Sequence, residues 1–185
     1  MTENADYIID ATTFMGMHSS DPLIRRRSLA FFHFAFNTKP LMNLEQIGLC
    51  DALVWEQTRA VQDAYYPFMD RLHSDMRFMR APYDYPEIRL ALETPDLRHL
   101  PPPAALLAAQ VLYRQTRIFT HDTALLALAC LQPYLGDFDR LLKAEFVAFP
   151  EPLDTLYQRS RALTINEKDW RHVAKAYLHP LDHTA

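Results

Sequence analysis

The sequence predicts an α/β protein: a three-layer sandwich with a short, mostly parallel β-sheet flanked by helices. Short apolar runs alternate along the chain with longer segments of helical periodicity. Strands that alternate with helices assemble into sheets covered on both faces. Only 3 glycines occur in 185 residues, too few for a turn-rich all-β fold.

The first expected strand is "YIID", an apolar run that ends in Asp10. A helix follows over "SSDPLIRRRSLAFFHFAF", with Asp21 as N-cap and Pro22 in the first helical position. "KPLMNLE" reads as the second strand and leads into a long helical stretch from Ile47 to Met79, one helix or two with a break near Pro67. "RAPYDYPEIRLALETPDLRHLPPP" reads as a long connection holding one short helix around Glu87 to Glu93. "AALLAAQVLYRQ" is helical, "TRIFTHD" is the third strand and its turn, and "TALLALACLQPYL" is the next helix. "AEFVAFPEP" is expected as a fourth strand, and the remainder is helical. The organisation is an α/β domain over residues 1–150 and a helical extension over 151–185 that packs on it.

Composition narrows the function. Hydrophobic residues make up 49% of the chain and charged ones 23%, as in ordinary globular domains. The net charge of −4 argues against non-specific coating of nucleic acid. No Gly-rich phosphate loop is present. Cys50 and Cys130, both in apolar helical contexts, read as buried reduced thiols. The N-terminus lacks a basic, apolar leader. The most apolar window, "PPPAALLAAQVLYRQTRIF", is interrupted by Arg114 and Arg117. The expectation is a cytoplasmic protein without a membrane partner.

In parallel sheets, sites form at the carboxyl ends of the strands. Asp10 and Asp122 each end an expected strand, and Asp51 lies about a turn and a half into the helix after the second. Carboxylates that converge there repel one another unless a cation joins them, and Mg²⁺ or Mn²⁺ is the natural hard partner for oxygen ligands. Such an ion lowers the pKa of bound water and stabilises charge on a phosphodiester. Taken singly, Asp122 is also a good N-cap, Asp10 an ordinary strand-end acid, and Asp51 an acid favoured by the helix dipole.

"YIIDATTF" before a capped helix, and "RIFTHDTALLALA" after "AALLAAQVLYRQ", resemble the PIN domain, a family of metal-dependent ribonucleases. Asp10 and Thr12 match its first motif, and Thr120 and Asp122 its Thr-x-Asp motif. Asp51 fits the acid after strand two, with Glu56 a less well placed substitute. The resemblance spans roughly residues 6–150. It implies an Mg²⁺- or Mn²⁺-dependent endoribonuclease with Asp10, Asp51 and Asp122 as catalytic metal ligands, Thr12 and Thr120 in support, RNA as substrate, and a homodimer or a partner protein. The sequence departs from the family at one place: Ala104 stands where a further acid opens the helix before the Thr-x-Asp strand. That departure supports a second expectation, a nuclease-inactive PIN-fold protein that works by binding a partner or a small molecule.

Other features weigh less. Arg25, Arg26 and Arg27 fan around one helix. Arg77 and Arg80 lie near Tyr83 and Tyr85, a mixture that can stack a base or hold a phosphate. Phe31, Phe32, Phe34 and Phe36 are too dense to be all core. His172, His179 and His183 lack the Cys or acid that would complete a zinc set.

Overall fold

A computed structural model describes residues 5–144 and 148–170. Four short strands form one sheet: β1 (Tyr7–Ile9), β2 (Pro40–Asn43), β3 (Met79–Ala81) and β4 (Ile118–Phe119). Their order is β3-β2-β1-β4, and every pairing is parallel. Ile8 lies opposite both Leu41 and Ile118. The expected α/β class holds, and the sheet is wholly parallel.

Side chains of a strand alternate between faces, and here they divide the interior into two cores. Ile9, Met42 and Phe119 enter one core. Their neighbours Ile8, Leu41 and Ile118 enter the other. The first core is built on α1 (Ala11–Gly16), α2 (Pro22–Phe34), α3 (Leu44–Trp55), α4 (Arg59–Asp75) and α9 (Leu153–Ser160). The second is built on α5 (Tyr85–Glu93), α6 (Pro102–Arg114) and α7 (Thr123–Leu126). Helices thus cover both faces, with α8 (Phe138–Leu141) beside α2.

Several elements depart from expectation. The long helix does not break at Pro67, which lies inside α4 on an exposed turn. Asp63, whose carbonyl the proline leaves without its helical partner, is an exposed residue. The break falls at residues 56–58 instead, where Gln62 Nε2 donates to the free carbonyls of Gln57 at 2.9 Å and Trp55 at 3.3 Å. Two residues beyond α4, Arg77 takes φ 53°, a left-handed turn that redirects the chain into β3. That strand lies in a stretch expected as helix end and connection. It is legible only through its pairing with β2. The helix expected from Thr123 stops after one turn and resumes as a 3-10 segment, Ala129–Tyr134, around Pro133. The expected fourth strand lies partly outside the described residues, and residues 148–150 are not in a strand. Phe149, Leu153, Tyr157, Leu163 and Ile165 enter the first core. Residues 171–185, with His172, His179 and His183, lie outside the described residues. Cys50 is buried and Cys130 half-buried, and both are free. Among the described residues no helix is long and apolar enough to cross a membrane.

Candidate functional site

The chain runs β1, β2, β3 to one side and returns to place β4 on the other side of β1. The carboxyl ends of β1 and β4 therefore flank the switch point, where open parallel sheets hold their ligands. Asp10 follows β1 and Thr120 follows β4.

Asp10 is the N-cap of α1, with its Oδ1 accepting from Thr13 N at 2.9 Å. Thr12 Oγ1 lies 2.8 Å from each carboxylate oxygen, and Thr120 Oγ1 donates to Oδ2 at 2.6 Å. Both threonines also accept from the loop that follows β4. His121 N donates to Thr12 Oγ1 at 2.8 Å and Asp122 N to Thr120 Oγ1 at 2.9 Å. A third threonine, Thr13, donates to the Phe119 carbonyl at 2.8 Å. Asp10 is thus the acceptor at the centre of a clasp that joins the ends of β1 and β4. Burial pushes its pKa up to about 6; the Thr120, Thr13 and Thr12 hydrogen bonds oppose that rise, and Asp122 adds to it.

Asp122 does cap α7: its Oδ1 accepts from Ala124 N at 2.7 Å and Leu125 N at 3.3 Å. It also lies close enough to Asp10 to disfavour that carboxylate. Asp51 does not join them. α3 begins at Leu44, with Asn43 as its cap, so Asp51 sits about two turns along, on the side facing α4. There it lines a small cleft with Cys50, Tyr65, Met69 and His73. Burial raises its pKa, the Tyr66 hydrogen bond lowers it, and Asp70 raises it further. Glu56 is the C-cap at the far end of α3. Ala104 packs against the second core. Among the described residues no group of three His, Cys, Asp or Glu side chains is placed to hold a metal ion.

The residue of α3 that does reach the switch point is Gln46. Its Oε1 accepts from Ala11 N at 2.9 Å, beside Asp10. Gln46 N in turn donates to Asn43 Oδ1 at 2.9 Å. Asn at the cap with Gln three residues later is a helix-start signature, and it was present in "NLEQ" within the stretch expected as a strand end.

A second wall stands behind the His121 loop. Ser28 Oγ and His121 Nε2 are 2.9 Å apart, and the His121 ring stacks on Phe138 at 4.5 Å and 8°. Burial and the nearby Arg27 lower the His121 pKa to about 4, against a smaller opposing effect of Asp21, so the ring is neutral at pH 7. Gly16 makes this contact possible: a Cβ there would lie 2.1 Å from Ser28 Oγ.

The weaker candidates are mostly engaged. Arg27 pairs with Asp139 at 2.7 Å and Arg25 Nη1 donates to the Ser19 carbonyl at 2.7 Å. Arg80 Nε donates to His73 Nδ1 at 3.1 Å. Tyr83 accepts from Asn43 Nδ2 at 2.9 Å and donates to Glu45 at 2.8 Å. Tyr85 stays exposed. Phe31 and Phe32 are core, whereas Phe34 is 47% exposed.

No curated protein and no solved structure matches this chain. A family model does, over residues 1–170, and the chain accordingly belongs to the family it defines, described as a family of unknown function, DUF6190.

Proposed function

We propose that this chain is a nuclease-inactive PIN-like protein that works by binding a partner or a small molecule and not by divalent-metal-dependent cleavage of RNA. One observation carries the reading: both oxygens of Asp10 already accept hydrogen bonds from Thr12, Thr13 and Thr120 of its own chain. A divalent ion is stabilised by oxygen ligands drawn from several groups. Among the described residues the donor set shrinks to Asp10 and Asp122, since Asp51 faces another cleft, Ala104 is apolar, and Gln46 gives its oxygen to a backbone amide. The residues present do not fit the ion. Two hydroxyls and a backbone N–H offset part of the cost of burying this carboxylate.

A second reading, the Mg²⁺- or Mn²⁺-dependent ribonuclease, is favoured by the proximity of Asp122 to Asp10 at the switch point. One set of measurements separates the two. Purified protein with Mn²⁺ and single-stranded RNA should give no cleavage above that of Asp10→Asn, and calorimetry should detect no micromolar Mn²⁺ binding. Metal-dependent cleavage that Asp10→Asn abolishes would establish the ribonuclease and overturn the binding reading. Ala104→Asp tests whether a missing acid is all that separates them.

A further inference from the structure

A cavity of about 230 Å³ lies at the amino-terminal end of β2 and β3, opposite the sheet end that holds Asp10. It sits between the connections that lead into these two strands. Asn37, Thr38 and Lys39 line it from the first connection, Asp75 and Arg77 from the second. Leu41 lies opposite Met79, so Lys39 and Arg77, each two residues earlier, stand at matched places. Two cations thus line one cavity, and an anion is the ligand such a pair attracts. The acid among them is already engaged: Asp75 accepts from Arg71 Nε, within α4, at 2.8 Å. Arg77 is the unexpected residue. Phe78 N donates to the His73 carbonyl at 3.2 Å and Arg77 N to the Ser74 carbonyl at 3.4 Å, which closes α4 in a Schellman turn. The left-handed position of such a turn is ordinarily glycine or asparagine, because a Cβ is crowded there. Arginine at φ 53° gains nothing from the turn itself. The residue is exposed, and among the described residues its guanidinium has no ion pair or hydrogen bond.

We propose that this cavity binds a small polyhydroxylated phosphate monoester, with Arg77 and Lys39 on the phosphate and Asp75 and Thr38 on the hydroxyls. A guanidinium forks onto two phosphate oxygens, and an ammonium meets a third as a point charge. Thr38 Oγ1 gives its proton to the Ala35 carbonyl at 2.7 Å, so its lone pairs are left to accept from a hydroxyl. The Asp75 carboxylate has more acceptor sites than Arg71 uses, and its charge disfavours the reversed orientation of the ligand. The volume falls just below the roughly 300–1,000 Å³ of drug-sized ligand sites, which sets the ligand at the size of a phosphosugar. The site lies at the far end of the sheet from Asp10, so the inference does not depend on whether the acid pair at the switch point cuts RNA.

Calorimetry on the full chain in low salt tests it, with ribose 5-phosphate, inorganic phosphate and ribose as probes. Ribose 5-phosphate should bind one per chain and more tightly than inorganic phosphate, and ribose should not bind. Arg77→Gly removes the cation and suits φ 53°. That variant should melt at or above the wild-type temperature and bind ribose 5-phosphate about tenfold more weakly. No binding of either phosphate at millimolar concentration overturns the proposal, as does an Arg77→Gly variant that binds like wild type. A variant that melts well below wild type makes the Arg77 side chain part of the fold and overturns its assignment to a ligand. Ribose 5-phosphate that binds no more tightly than inorganic phosphate overturns the part given to Asp75 and Thr38.

Discussion

The carboxyl group of Asp10 is dry, and dryness sets its affinity for a proton. Its pKa rises from 3.8 to about 6 because burial opposes the charged form more than the three hydrogen-bond donors favour it. The folded state therefore holds this proton more tightly than the unfolded chain. The resulting stabilisation is present below about pH 4 and is lost as pH rises through 6, a change of about 3 kcal/mol from this group. Asp10→Asn removes the titration. The stability of the variant relative to wild type, measured by urea unfolding, should increase by that amount between pH 4 and pH 7. A difference that does not vary with pH would mean that Asp10 is solvated in the folded chain. Asp10 and Asp122 were readable as strand-end acids because each follows an apolar run. Their partners Thr12 and Thr120 were readable from the same motifs. Gln46 was not, because "NLEQ" sits where an apolar strand runs directly into its helix, and the capping signal was absorbed into the strand.

Among the elements, α1 and α2 touch where Gly16 meets Ser28, and this contact also positions the His121 ring. Gly16→Ala inserts a methyl at 2.1 Å from Ser28 Oγ and 3.3 Å from His121 Cδ2. Overpacking of this kind costs about 1–3 kcal/mol. Ser28→Ala in the same chain removes the closest atom, so thermal unfolding of the double variant should recover most of the loss. If Gly16→Ala alone melts like wild type, the helices separate more freely than the contact implies. Sequence foretold the helices that open on strong caps: Asp21 and Asp122 both accept from two backbone amides of their first turns. It did not foretell where helices stop. Pro67 gave a false stop because its effect depends on which face it occupies. β3 stayed hidden because three residues, Met79–Ala81, carry no periodicity of their own and are defined by the strand beside them.

At the scale of the whole molecule, residues 153–165 belong to the core that α1–α4 begin. Tyr157 donates from its hydroxyl to the Met17 carbonyl at 3.1 Å. Ser160 donates to the Tyr157 carbonyl at 2.7 Å and accepts from His18 Nε2 at 2.9 Å. Ile165 exchanges backbone hydrogen bonds with the 18–20 turn, Ile165 N to His18 O at 2.9 Å and Ser20 N to Ile165 O at 2.8 Å. Truncation after Pro150 strips Leu153, Tyr157, Leu163 and Ile165 from that core and uncovers His18. The shortened chain should bind a hydrophobic dye and lose its cooperative melt. A sharp transition near the wild-type temperature would instead make residues 151–170 an appendage.

The clasp at Asp10 has a consequence for synthesis. Its two halves are 110 residues apart along the chain, and β1, the inner strand it closes, has β2 on one side and β4 on the other. At about 5–20 residues per second on a ribosome, Asp10 waits roughly 5–20 s before Thr120 is made. During that interval the edge of β1 that will receive β4 has no strand to pair with, and its unpaired backbone is a template for other chains. β4, two residues long, ends that exposure.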